Sequence, residues 1–180
     1  MSQSPVRKYK FFFTWEDDRE EQWLQQMARQ GLHLVHANML GFYRFRQGNP
    51  AEVSYRLDYV QKVDGSYRQL FEDAGWEHVI SMSGWHYWRK QATAAPAAEI
   101  FTDAASKAAK YRRILGFALM CCIPLFVSLC NPRTYEIIAR EQPSGAVFGA
   151  ILASTAALAG YAVVRLLLRI RRLEAGRRTL

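Results

Sequence analysis

The second half of the chain contains two long apolar stretches. Residues 114–130 and 145–164 include no Asp, Glu, Lys or Arg. At 1.5 Å per residue, about 20 apolar residues are needed for a helix to cross the hydrocarbon core of a bilayer. The second stretch is long enough, and the first gains length if Tyr111, Arg112 and Arg113 reach the headgroups. The sequence therefore predicts transmembrane helices over 107–130 and 145–168.

The positive charge of the chain belongs to this membrane half. The net charge is +8, yet residues 1–90 hold twelve Lys and Arg against eleven Asp and Glu, whereas residues 91–180 hold twelve against five. The basic residues lie before the first stretch and after the second. By the positive-inside rule both termini are cytoplasmic, 131–144 is an external loop and 169–180 is a basic cytoplasmic tail. Anionic lipid headgroups explain this charge with fewer assumptions than direct nucleic-acid binding, and no cleavable signal precedes it.

Residues 1–90 alternate between strand and helix periodicity. Tyr9, Phe11 and Phe13 alternate with lysines and predict a strand, and Thr14 with Asp17 resembles a capping box for a helix that ends at Gly31. Strands are expected over 32–39, 42–47 and 53–60. A second helix follows Asp64 and ends at Gly75, before a hairpin whose strands, 76–82 and 85–90, turn at Ser83 and Gly84.

The order strand, helix, strand, strand thus occurs twice, and short segments repeat with it. Residues 27–35 align with 71–79, and 41–46 align with 84–89. Chance similarity of two aromatic hairpins is the alternative explanation. We expect an α+β fold in which a duplicated β-α-β-β unit forms a six-stranded antiparallel sheet or open barrel with two helices, followed by a two-helix transmembrane hairpin.

An Ala-rich linker over 91–106 is predicted to join the soluble domain (1–90) to the membrane helices. The first of these is interrupted by Pro124. In the second, small residues recur every four positions, at Gly145, Gly149, Ala153 and Ala157. Such spacing lets another helix approach closely. Packing against the first span and formation of a homodimer both remain possible.

Several segments resemble the bacterial family called domain of unknown function 2812. They are residues 8–15 (KYKFFFTW), 55–59 (YRLDY), 70–77 (LFEDAGWE), 84–90 (GWHYWRK) and 99–103 (EIFTD). The resemblance implies a membrane-tethered protein often encoded beside PadR-type winged-helix repressors, and hence a regulatory context with a PadR-type regulator as a possible partner. It supplies no catalytic residues and no cofactor.

The sequence offers little catalytic chemistry. His33 and His36 would lie on opposite faces of a regular strand, and His78 is expected nearer to Arg89 than to His86 across the hairpin. The three cysteines all fall in the first span. We therefore predict no metal site, no cofactor and no enzymatic activity.

The strand over 53–60 carries the candidate ligand site. If Tyr55, Leu57 and Tyr59 face the helices, Arg56 and Asp58 face the other side. The repeat places Phe12 on that side too, and Arg44, Trp85 and Tyr87 are candidates to join it. An aromatic-lined face with one carboxylate suits amphipathic or cationic small molecules, whereas a solvated Arg56–Asp58 ion pair is the simpler explanation.

Two functions follow as expectations. The first is a membrane-tethered cytoplasmic sensor or effector-binding module, because the strand order looks like that of the effector-binding domains of the gyrase-inhibitor-like superfamily. The second is a non-catalytic docking protein that holds a regulator or a membrane complex at the bilayer.

Overall fold

The computed structural model describes residues 5–91, 104–141 and 143–177. The chain divides into two compact units, Met1–Ser106 and Lys107–Leu180. The first is an α+β unit with two antiparallel three-stranded sheets and two helices, and the second is helical. The α+β class agrees with the expected organisation.

The first sheet is built from the start of the chain. It contains β1 (Val6–Tyr9), β2 (Leu32–Ala37) and β3 (Phe42–Gln47), with β3 in the middle, and α1 (Asp17–Arg29) lies between β1 and β2 in the sequence. Trp23 of α1 packs its ring edge-on against Tyr43 and Phe45, with centroid distances of 4.8 Å and 5.7 Å. These contacts bury one face of the sheet under α1, because alternate residues of β3 point to the same side.

The second sheet repeats this order. It contains β4 (Val53–Tyr59), β5 (Glu77–Met82) and β6 (Trp85–Gln91), with β6 in the middle, and α2 (Gly65–Asp73) precedes β5. The Asp64 side chain caps α2 by accepting from the Tyr67 N–H, as expected for a helix that follows Asp64. Phe71 of α2 stacks on Trp88 at 4.3 Å, and Trp76 completes a buried aromatic cluster.

The strands form two sheets where the sequence suggested one of six strands. β2 lies near β5, but the pairing among the described strands does not continue from one sheet to the other. β2 and β5 each carry a β-bulge. The register shifts between Leu34 and His36 in β2 and between His78 and Ile80 in β5. Such bulges bend a strand and increase its local twist.

The start of α1 also differs from the prediction. β1 ends at Tyr9, so Phe11 and Phe13 lie beyond the strand. The helix is preceded by Glu16, whose carboxylate accepts from the Phe13 N–H, and the expected capping box of Thr14 and Asp17 does not form. A carboxylate at this position satisfies a backbone donor of the approaching chain and interacts favourably with the helix dipole. The end at Gly31 is confirmed by its φ of +75°.

The second unit contains α3 (Ala104–Cys130), α4 (Pro132–Arg140) and α5 (Ser144–Arg177). Segments Lys107–Cys130 and Ser144–Ala175 are long and apolar enough to cross a membrane, and almost none of their most apolar residues are buried. A core helix of a soluble protein would be mostly buried, so this exposure favours contact with lipid. Near the ends of these helices, the Arg169 Nε donates to the Tyr111 hydroxyl at 2.9 Å.

The segment expected to be an external loop folds as α4. The Asn131 side chain caps it by accepting from the Arg133 N–H, and Pro132 occupies the first turn, where its missing N–H costs nothing. Gly145 and Gly149 lie against Ile138 of this helix. Of the four small residues that recur every four positions, Gly145 and Gly149 therefore pack on α4, whereas Ala153 and Ala157 are exposed.

Candidate functional site

Asp58, the carboxylate of the predicted ligand site, lies under α2. Its side chain is only 2% exposed, and it accepts a hydrogen bond of 3.3 Å from the Tyr67 hydroxyl, which in turn accepts from Trp88 Nε1. In the pairing of β4 with β6, Asp58 lies opposite His86. The face that was expected to be open therefore carries α2, because alternation along β4 defines two faces without specifying which one a helix covers.

Trp85 and Tyr87 lie on the other face of the second sheet. Tyr87 pairs with Leu57, and Trp85 pairs with Tyr59, against which its ring packs at 5.5 Å. Strand alternation directs these side chains away from Asp58. The pairing register therefore separates the two aromatic residues from the carboxylate they were predicted to accompany.

Arg56 points to the Asp58 side of β4 but binds α1. Its guanidinium donates to the Glu21 carboxylate at 3.0 Å, and the second oxygen of Glu21 accepts from the Leu57 N–H at 2.8 Å. Glu21 thus caps the outer edge of β4, which would otherwise present free backbone donors. Arg56 is used to hold α1 on the sheet.

The last two predicted residues, Phe12 and Arg44, belong to the first half of the unit and lie apart from each other. Phe12 packs on Trp23 at 5.7 Å, with the Lys10 ammonium 5.1 Å from the Phe12 ring and 5.3 Å from the Trp23 ring. Arg44 is exposed on the outer face of the first sheet. The six predicted residues therefore do not line a single pocket.

A groove on the outer face of the first sheet is a candidate site that was not predicted from the sequence. Tyr9 pairs with Phe42 across β1 and β3, with ring centroids 5.0 Å apart, and Arg7 pairs with Arg44 beside them. The open groove has a volume of about 540 Å³. We call it the basic groove, lined by Arg7, Lys8, Tyr9, His36, Asn38, Phe42, Tyr43 and Arg44.

His36 borders the basic groove because β2 contains a bulge. Leu34 pairs with Phe45 and His36 pairs with Arg44, so the extra residue is Val35. His33 pairs with Arg46 and His36 with Arg44, which places both histidines on the outer face. The expectation that they lie on opposite faces is therefore wrong. The His33 ring is held by the Asn49 carbonyl at 2.9 Å, whereas His36 borders the groove.

The charge of the basic groove has one sign. The segments 5–13 and 32–47, which form the first sheet and its loops, contain Arg7, Lys8, Lys10, Arg44 and Arg46 but no Asp or Glu. In the described part of the chain, no acidic side chain lies within ion-pair distance of the arginines and the lysine that line the groove. The nearly neutral domain thus concentrates positive charge on one aromatic face, a composition suited to anions.

A chain of hydrogen bonds crosses the second sheet at the bulge of β5. Ser81 Oγ lies 2.8 Å from His78 Nε2 and 2.8 Å from His86 Nδ1, and His86 Nε2 lies 3.0 Å from the Val60 carbonyl oxygen. Because a carbonyl only accepts, His86 donates to it from Nε2. Burial and the charge of Arg68 lower the pKa of His78, which favours its neutral form. His78 pairs with Trp88, and its ring lies 6.2 Å from that of His86, whereas the Arg89 guanidinium donates to the Glu77 carboxylate.

Glu20 connects both sheets to α1. Its Oε1 accepts hydrogen bonds of 2.8 Å from the hydroxyls of Tyr43, on β3, and Tyr87, on β6. Burial raises the pKa of the Glu20 carboxyl from its ordinary value of 4.5, although these hydrogen bonds oppose the shift. Burial, followed by the negative charge of Glu20, also raises the pKa of both tyrosines. Since the cluster is buried and both hydroxyls donate to the carboxylate, we assign it a structural role.

The comparison with known families supports the resemblance seen in the sequence. The family described as Protein of unknown function (DUF2812) matches residues 16–123. The chain belongs to the DUF2812 family. No curated protein and no solved structure matches the chain significantly.

The DUF2812 match runs from the residue before α1 into the middle of α3. His36, Phe42 and Arg44 of the basic groove lie inside the matched region, whereas Arg7, Lys8 and Tyr9 precede it. In the described residues of this DUF2812 protein, no three His, Cys, Asp or Glu side chains are grouped as metal ligands would be. The basic groove is therefore the candidate site with the clearest chemistry.

Proposed function

We propose that this DUF2812 protein is a membrane-tethered binding module that takes an amphipathic anionic ligand in the basic groove. The observation that carries the proposal is the outer face of the first sheet, where the Arg7–Arg44 pair lies beside the packed, tilted rings of Tyr9 and Phe42. Guanidinium groups bind carboxylate and phosphate oxygens through paired hydrogen bonds, and aromatic rings accept the apolar part of a ligand. The role is binding, in a sensor or effector-binding context.

The proposed ligand has the opposite charge to the one suggested by the sequence. The cation hypothesis depended on Asp58, which is buried beneath α2 and hydrogen-bonded to Tyr67. A cation would need to displace α2 to reach it. An anion can reach the guanidinium groups of the basic groove without such a rearrangement, because both arginines are exposed.

The membrane part of the proposal follows from the two apolar helices. We propose that α3 and α5 span the cytoplasmic membrane with both termini in the cytoplasm, and that anionic headgroups attract the basic residues beside them. The groove would then sample ligands in the cytoplasm or at the inner surface of the bilayer. Tethering keeps the module at the membrane regardless of ligand.

We further infer that the two halves of the soluble unit derive from one duplicated strand-helix-strand-strand unit. Each half places its third strand in the middle of a sheet, and each carries its bulge in the second strand. The aligned residues also occupy equivalent places: Phe45 and Trp88 both lie under the helix of their own half.

The binding proposal is tested with the full chain in nanodiscs of zwitterionic lipid. We expect 1-naphthyl phosphate to bind more tightly than 1-naphthol or naphthylmethylammonium, because only the phosphate pairs with the arginines. Arg44→Glu should weaken this binding at least about tenfold, the equivalent of 1.4 kcal/mol. Arg68→Glu, an exposed charge reversal on α2, is the matched control and should leave it unchanged. Equal binding of the ammonium compound would refute the proposal.

A docking role is the second candidate, and exposed apolar residues near the groove favour it. Met39 and Leu40, in the turn between β2 and β3, are 58% and 67% exposed. A PadR-type regulator, another membrane protein or a second copy of the chain would be the partner. Ala153 and Ala157 are the exposed small residues through which α5 could form a homodimer. Co-purification in mild detergent that is lost in Leu40→Asp would support docking.

A further inference from the structure

Four apolar side chains project from one end of the first sheet, beside the basic groove. Phe11 and Phe13 follow β1, and Met39 and Leu40 form the turn between β2 and β3. Their exposed fractions are 49%, 43%, 58% and 67%. We call these four residues the apolar tip. Large apolar side chains clustered in this way on a soluble surface commonly mark contact with a protein or a membrane.

The apolar tip is built from two ordered segments that hold each other. The Lys10 N–H donates to the Gly41 carbonyl at 2.9 Å, which joins the segment after β1 to the turn. The Asn38 carboxamide oxygen accepts from the backbone N–H groups of Leu40 and Phe42. Gly41 has a φ of +84°, and a Cβ there would lie 2.7 Å from the Lys10 carbonyl oxygen. These constraints fix the turn and keep Met39 and Leu40 directed outward.

Positive charge lies immediately behind the apolar tip. Lys8 and Lys10 precede Phe11 in the chain, and Arg44 lies two residues beyond Phe42 on β3. The segments that form the tip and the groove contain no acidic residue. The carboxylate of Glu16, which contacts the tip at the Phe13 N–H, is paired with Arg19. Apolar and aromatic side chains backed by lysine and arginine are the composition of surfaces that enter the headgroup region of an anionic bilayer. The charge complementarity therefore selects an anionic membrane over a neutral apolar partner.

The short link between β6 and α3 also favours a bilayer as the surface that the apolar tip contacts. Only twelve residues separate Gln91, the end of β6, from Ala104, the start of α3. If α3 spans the membrane as proposed, the tether holds the soluble unit at a high effective concentration beside the lipid surface. Weak insertion of a few side chains is then sufficient, because the tether prevents the unit from diffusing away.

We propose that the apolar tip inserts into the interface of an anionic bilayer and that the basic groove binds the headgroup of an anionic lipid there. This inference rests on the proposed function and names the ligand: the amphipathic anion comes from the membrane. Leu40 and Met39 would lie among the upper acyl segments, while Arg7 and Arg44 contact the phosphate. Tyr9 and Phe42 would lie at the boundary, where aromatic side chains are favoured.

The test measures the depth of a nitroxide at position 40 in the full chain. Cys121, Cys122 and Cys130 are replaced by Ser, and Leu40→Cys is spin-labelled in nanodiscs of phosphatidylcholine alone or with phosphatidylglycerol. Collisions with oxygen should increase, and collisions with a water-soluble nickel chelate should fall at least about threefold, only in the anionic nanodiscs. Leu70→Cys, on exposed α2, is the matched control and should remain in water. Adding Arg44→Glu should return the position 40 label to water.

The outcomes separate the inference from the proposed function. A label at position 40 that stays as accessible to nickel as the one at position 70 overturns insertion. Protection of the label from nickel that is the same in both kinds of nanodisc also overturns it and indicates a protein contact. Dihexanoyl phosphatidylglycerol, which is monomeric in water, tests the groove separately. If this soluble lipid or naphthyl phosphate binds while the label stays in water, only insertion fails; if neither anion binds, the proposed function fails as well.

Discussion

Removing the Glu20 carboxylate should strongly destabilise the α+β unit. The side chains of Glu20, Tyr43 and Tyr87 are 8%, 4% and 2% exposed, so Glu20→Leu leaves two buried hydroxyls without the acceptor they share. A buried donor that loses its partner costs about 1–3 kcal/mol. The expected loss is therefore about 2–6 kcal/mol, a large part of the stability of a domain of this size.

Combined substitutions distinguish lost hydrogen bonding from lost packing. Replacing Glu20 by Leu together with both tyrosines by Phe removes every polar group of the cluster, so the triple variant should be more stable than Glu20→Leu alone. Urea unfolding of a fragment ending at Ser106, followed by tryptophan fluorescence, measures these differences. A loss below about 1 kcal/mol for Glu20→Leu, or a triple variant no more stable than it, would refute the reasoning.

Glu20→Gln tests the charge of the same carboxyl. Burial raises the pKa of Glu20 in the folded state, so the folded protein favours the protonated form. The stability that the raised pKa of Glu20 contributes is fully present below pH 4.5, the ordinary pKa of the group. It is lost as the pH rises through the pKa of the folded state. Because Gln keeps an acceptor and cannot ionise, the stability of Glu20→Gln relative to wild type should increase as the pH rises from 4.5. A difference that does not change with pH would contradict the assigned cause.

Three further predictions concern the architecture. A fragment of residues 1–91 should be soluble and unfold cooperatively, because each sheet is buried against its helix within this segment; a non-cooperative transition by circular dichroism would contradict this. In cells, a thiol introduced at Gln91 should be protected from an impermeant maleimide and one at Glu141 should react, with the reverse pattern contradicting the proposed topology. Gly145→Ala should lower the melting temperature in detergent, because its Cβ would lie 2.5 Å from the Ile138 carbonyl oxygen, whereas Gly116→Ala, with nothing within 4 Å, should not.

The elements that the sequence predicted best are those with local causes. The end of α1 at Gly31, the cap of α2 at Asp64 and the turn at Ser83 and Gly84 depend on a few neighbouring residues, and the structure has all of them. Helix α4 also had a local indication in Asn131 followed by Pro132. The prediction treated this segment only as the loop between two spans and did not use that indication.

The predictions that were wrong concern features that depend on residues far apart in the sequence. Alternation in β4 showed that Asp58 and Leu57 face opposite sides, but only the position of α2 determines which side is covered. The bulge at Val35 has no strong sequence signature, and it reverses the predicted relation between His33 and His36. The candidate site was consequently placed on β4, although the absence of acidic residues from segments 5–13 and 32–47 was visible in the sequence and would have indicated the outer face of the first sheet.

Photoaffinity labelling of the full chain tests the proposed binding site most directly. An aryl phosphate bearing a benzophenone is activated in zwitterionic nanodiscs, and the modified peptides are located by mass spectrometry. The account predicts adducts on β1 and β3, around Tyr9 and Phe42, that excess naphthyl phosphate suppresses and that Arg44→Glu removes. Adducts that concentrate on β4 and β6 around Asp58, or that excess naphthyl phosphate does not suppress, would contradict it.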